Sequence, residues 1–126
     1  MEADLAYEQE VNVIGRYVFA HPQWRRAFPD STPAQVVIAI LKHLKRNTVR
    51  IANDRDGSIC GILFFTPNNY EQIINVDHLI GSNNMIIDAA LIAWSTEYPN
   101  YDVTLKRRGK PRYYRFTDFF KPVEAT

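Results

Sequence analysis

The stretch DHLIGSNNMIIDAALIAW, residues 77–94, passes from an apolar strand pattern through a short polar turn into an almost wholly apolar helix pattern. A strand that hands over to a buried helix through so short a turn is the unit around which the rest of the chain must be arranged. The turn at residues 81–84 has two chemical readings. Ser82, Asn83 or Asn84 can cap the helix, because short polar side chains satisfy its first free amides. Alternatively, Gly81, Ser82, Asn83 and Asn84 can hold an anion against those amides and the positive end of the helix dipole.

Downstream, residues 85–98 carry Ile87, Leu91 and Trp94 on one face and Met85, Ala89, Ile92 and Ala93 around the rest, so this helix is expected to be covered on most sides. Pro99 and Asn100 end it. YDVTLKR then sets Tyr101, Val103 and Leu105 against Asp102, Thr104 and Lys106, the alternation of a strand. PRYYRFTDFF, residues 111–120, has Tyr113, Phe116 and Phe120 at helical spacing and is read as a short terminal helix.

Upstream, Tyr7, Val11, Ile14 and Val18 recur at helical spacing over residues 5–20, which predicts an amphipathic helix ending near HPQW. A second helix follows in DSTPAQVVIAILKHLKRN, where Thr32, Pro33 and Gln35 form a capping-box pattern ahead of Val36, Val37, Ile40, Leu41 and Leu44. After Asn47 the period changes. TVRIAN and SICGILFFT flank the turn DRDG and predict a hairpin over residues 48–66, closed by Pro67, Asn68 and Asn69, with QIINVDHLI, residues 72–80, as a third strand. The order is α-α-β-β-β-α-β-α in a single domain over residues 1–126, an α+β class with a mostly antiparallel sheet of at least four strands.

Composition excludes more than it assigns. The chain has 126 residues, 46% of them hydrophobic, and a formal charge of +1, so any electrostatic partner must be met by a local patch. Cys60 is the single cysteine and lies in an apolar run, which reads as a small buried thiol. No metal site is expected: with Gly57 at the sixth position of a calcium loop, Ala52 and Leu63 would fall where ligands are needed. The acidic start MEADLAYEQE and the lack of a long apolar segment predict a cytoplasmic protein with no membrane association. KRRGKPRYYR, with Lys106, Arg107, Arg108, Lys110, Arg112 and Arg115 and no acid, is the one candidate surface for an anionic partner.

This element order resembles the GNAT superfamily of acetyl-CoA-dependent N-acyltransferases and, in its small size, GNAT-like proteins encoded by phages. The resemblance covers residues 5–120 in pattern, without an obvious first strand and without the last strands of the full fold. It implies that residues 72–80 line the pantetheine arm and that residues 81–84 form the pyrophosphate loop, although HLIGSNN keeps only Gly81 of the glycine signature and has no basic residue in the turn. It further implies Glu71 or His78 as the base that deprotonates an amine, and Tyr114 as the acid for the leaving thiolate. Strand alternation places Asp77 and His78 on opposite faces of the sheet. The eroded loop points to a non-catalytic module that binds a host or virion protein; the alternative is a small acetyl-CoA-dependent N-acetyltransferase acting on an amine by direct transfer.

Overall fold

The computed structural model describes residues 2–81, 83–107 and 110–115, with residues 83, 84, 106, 107 and 110–115 described by their backbone alone. The strands are β1 (Asp4–Leu5), β2 (Val49–Asn53), β3 (Ile59–Asn68), β4 (Ile73–Gly81), β5 (Asp102–Arg107) and β6 (Lys110–Arg115). The helices are α1 (Val11–Ala20), α2 (Pro22–Ala27), α3 (Pro33–Lys45) and α4 (Asn83–Glu97), with a 3-10 turn at Glu8–Glu10. The six strands form one sheet in sequence order. Every neighbouring pair is antiparallel except β4 and β5, which α4 connects in parallel.

The sheet is buried on both faces. Ile14 and Val18 of α1, Trp24 of α2, and Val36, Ile40 and Leu44 of α3 pack on Val49, Ile51, Ile62, Phe64 and Ile80. On the opposite face α4 lays Ile86, Ala90, Leu91 and Trp94 on Leu63, Phe65, Ile74, Val76, Val103 and Leu105. Two-sided burial explains why SICGILFFT reads as a continuous apolar run, where a half-buried strand would alternate. Arg50 stands among these apolar residues only 3% exposed, because its guanidinium donates to the Ala3 carbonyl at 2.5 Å and pairs with Glu97.

Several expectations are corrected. Leu5 does not open a helix: with Asp4 it forms a strand, Asp4 pairing with Ile51 and Leu5 with Arg50, and that ladder outweighs local helical periodicity. The segment after α1 is a further helix, α2, with His21 as its cap and Pro22 in its first turn. β3 continues through Pro67 to Asn68, opposite Ile74 and Ile73, so the hairpin closes later than its turn residues suggest. The expected terminal helix is strand β6 over Lys110–Arg115, which continues the sheet beside β5; residues 116–120 lie outside the described residues. Among the described residues α4 is covered on its sheet side, with Met85 and Ile92 56% and 62% exposed.

The capping box of α3 forms as expected. The Thr32 hydroxyl accepts from the Gln35 amide at 3.2 Å, and the Gln35 side chain accepts from the Thr32 amide at 2.9 Å.

Candidate functional site

The site begins with one extra residue in β4. Phe64 faces His78 across the β3–β4 ladder and Phe65 faces Val76, so Asp77 has no partner of its own. It is a β-bulge, which reverses the phase of the strand. Ile74, Val76 and Leu79 pack toward α4, while His78 and Ile80 lie toward α1 to α3. Asp77 joins His78 on that second face, since its carboxylate accepts from the Thr66 hydroxyl at 2.5 Å and lies 3.9 Å from His43 Nε2. The expectation that Asp77 and His78 address opposite faces is therefore wrong, because strict alternation fails at a bulge.

The bulge coincides with the end of the parallel ladder. β4 pairs with β5 from Ile73↔Asp102 to Val76↔Leu105; beyond that register β4 runs on to Gly81 and β5 to Arg107 without pairing with each other. Beside this divergence lies a groove of about 520 Å³ lined by His43, Asn75, Val76, Asp77, His78 and Thr104. A second hollow of about 370 Å³ opens between α3 and the sheet, with Trp24, Ile40 and Phe64 among its apolar walls. Among the described residues, His43 and His78 are the two that line both.

Each imidazole is held in a defined setting. His78 meets the rings of Trp24, Phe28 and Phe64 edge-on at centroid distances of 5.3, 5.3 and 6.2 Å. His43 Nδ1 lies 2.9 Å from the Thr48 hydroxyl, which also reaches the His43 carbonyl at 3.0 Å. When that hydroxyl donates to the carbonyl, Nδ1 must donate to the hydroxyl oxygen, and Nε2 is left as the basic nitrogen. Burial lowers both pKa values below the ordinary 6.5, with Asp77 acting in the opposite direction on each. Both rings are accordingly neutral near pH 7 and able to accept a proton.

The other residues picked out in the sequence are dispersed. Glu71 is exposed in the β3–β4 turn, where its amide donates to Asn68 Oδ1, at the end of β4 away from the bulge. Tyr114 belongs to β6, not to a helix, and is in register with Val103. Lys106 and Arg107 fall on β5, Lys110 and Arg112 on β6, and Arg108 lies outside the described residues. Asn83 opens α4 and Asn84 follows, while Ser82 lies outside the described residues.

Gly81 has a structural role of its own. Its φ is +97°, and a β-carbon there would stand 2.4 Å from the Cys60 carbonyl and 2.9 Å from the Gly61 Cα. Its amide donates to Gln23 Oε1 at 2.9 Å.

His43, Thr48 and Thr66 escaped the sequence reading. The available signal was the spacing of Ile74, Val76, Leu79 and Ile80, which slips by one residue at Asp77 and marks a bulge. Among the described residues there is no cluster of three or more His, Cys, Asp or Glu side chains suited to a metal ion, and no helix long and apolar enough to cross a membrane.

Comparison with known proteins identifies the fold. No family model and no curated protein matches the sequence. Among solved structures, a spermidine N-acetyltransferase chimera of Vibrio cholerae and hSSAT sequences aligns with a TM-score of 0.66 at 10% identity, over 95% of this chain and 98% of that one. A GNAT-family acetyltransferase from Listeria monocytogenes aligns at 0.55 and 11% identity, over 84% and 77% of the two chains. An N-acetyltransferase from Staphylococcus aureus aligns at 0.52 and 12% identity, over 86% and 74%. The chain has the α+β fold of the GNAT acetyltransferases; identities this low establish the architecture alone.

Proposed function

We propose that this GNAT-fold chain transfers an acyl group from acyl-coenzyme A to an amine. The observation that supports it is the convergence of His43, Asp77 and His78 at the bulge, where the groove beside the diverging strands meets the cavity under α3. A thioester arm suits the groove, because β4 beyond Val76 offers strand backbone that β5 does not pair. When bound, acyl-coenzyme A supplies the carbonyl that the amine attacks, with a C–N bond formed, a C–S bond broken and a thiolate released.

The chain's own residues handle the amine proton. The amine attacks in its neutral form, the neutral His78 ring takes the proton that the nitrogen sheds as the C–N bond forms, and the Asp77 carboxylate favours the imidazolium that results. His43, also neutral and held by Thr48, keeps a second positive charge from building up beside it.

The test is release of free thiol from acetyl-coenzyme A in the presence of a panel of amines. His78→Gln should lower kcat by at least about a hundredfold, within the range for loss of a positioned acid or base. Absence of thiol release with every amine would overturn the reading.

One observation favours a second reading. The Gly81 amide is already engaged by Gln23, and residues 81–84 contain no lysine or arginine, so the phosphate end of a coenzyme would meet few donors. On that reading the scaffold is a phage-type module that binds a host or virion protein, with Lys106, Arg107, Arg108, Lys110 and Arg112 as its surface for an anionic partner. Undetectable acetyl-coenzyme A binding in calorimetry, together with salt-sensitive retention of a partner that Arg107→Gln abolishes, would favour the module over the enzyme.

A further inference from the structure

We infer that the cavity under α3 selects an acceptor amine carried on an apolar, ring-sized body that also bears a carboxylate, and rejects polycations. The inference rests on the acyl-transfer reading for the fate of the amine, but not for its binding. At about 370 Å³ the cavity is near the small end of ligand sites, enough for one ring and a short polar chain. Trp24, Ile40 and Phe64 are buried in its walls, and Ile38, 55% exposed, stands at its mouth. Such walls favour an apolar body.

The charge of the lining determines the remainder. Its fully charged members are Lys42, in the last turn of α3, and Arg46, the residue that caps that end, both exposed, and none of the described lining residues is aspartate or glutamate. A polyamine would bring several positive charges to a mouth that offers two more and no carboxylate to pair with them. An acceptor carboxylate would instead meet the Lys42 ammonium and the planar Arg46 guanidinium. Because His43 and His78 are the lining residues shared with the groove, a ligand anchored by its carboxylate at the mouth turns its amine toward them.

The experiment is calorimetric titration without any acyl donor, using phenylalanine, phenethylamine and spermidine as probes. Phenylalanine should bind about five- to tenfold more tightly than phenethylamine at low salt, and the gap should close as salt rises, as expected for two exposed charge pairs. In a Lys42→Gln, Arg46→Gln double variant phenylalanine should bind more weakly and the cationic phenethylamine somewhat more tightly, so that the two meet at one level while the protein stays folded. The inference is overturned if spermidine or phenethylamine binds as tightly as phenylalanine, if the gap persists in the double variant, or if none of the three binds. Carboxylate-dependent binding without thiol release would refute acyl transfer and leave this inference standing. Acylation of spermidine would do the reverse.

Discussion

Replacing Gly81 by alanine should destabilise the protein by about 2–6 kcal/mol, the sum of two effects. A non-glycine residue held at φ +97° carries about 1–3 kcal/mol of backbone strain. The new β-carbon would also stand 2.4 Å from the Cys60 carbonyl, 2.5 Å from the Tyr17 hydroxyl and 2.9 Å from the Gly61 Cα. Tyr17 can swing aside. The two backbone atoms belong to β3, and Gly61 is the direct register partner of Gly81, so relief requires separating the strands beside the bulge. Overpacking of this kind adds about 1–3 kcal/mol. Urea unfolding would report the loss as a midpoint lower by about 2 M, taking a slope of about 2 kcal/mol/M. Gly57→Ala is the control, since Gly57 has φ +81° with nothing within 4 Å of the added carbon, and it isolates strain from collision. A Gly81→Ala change no larger than that of Gly57→Ala would refute the steric part of the reasoning.

Trp94→Ala should cost about 3–5 kcal/mol in the same assay, because Trp94 is fully buried with its ring 4.9 Å from Phe65; a loss below about 0.5 kcal/mol would place it outside the core. The folded protein binds protons at His43 and His78 less readily than the unfolded chain does, so stability should be complete above pH 6.5 and fall as pH drops below it toward the lowered folded values. Urea midpoints at pH 7.5 and 5.5 test this, and a His43→Gln, His78→Gln variant with an undiminished slope would contradict it. Glu97→Ala should cost about 2–3 kcal/mol by leaving buried Arg50 with only the Ala3 carbonyl, whereas Arg50→Met, Glu97→Ala together should recover part of that loss.

The elements that local pattern specifies were readable before the structure. α3 begins at Pro33 behind its Thr32 cap, and the β2–β3 hairpin and α4 lie close to where their periods predict them. β1 and β6 were not, because their strand state comes from pairing with Ile51 and Arg50 in one case and with β5 in the other, contacts that no local window contains. The site was legible in part. His78 stood out as a titratable residue beside the decisive turn, but its relation to His43 depends on α3 folding over Phe64, whose ring centroid lies 5.3 Å from that of His43. Asp77 was misjudged because alternation was applied through the one position where it is broken.

The bulge at Asp77 is an insertion in the literal sense. If Asp77 were deleted, Val76 would be followed directly by His78, and plain alternation would leave Val76 and Leu79 toward α4 and His78 and Ile80 toward the other helices, where they now lie. The apolar side chains of β4 would keep their faces, while the carboxylate beside His43 and the extra residue at the end of the β4–β5 ladder would be gone. In genetic terms the bulge is one codon wide. A lineage with this sheet can acquire or discard it in a single step, with the rest of the sequence untouched.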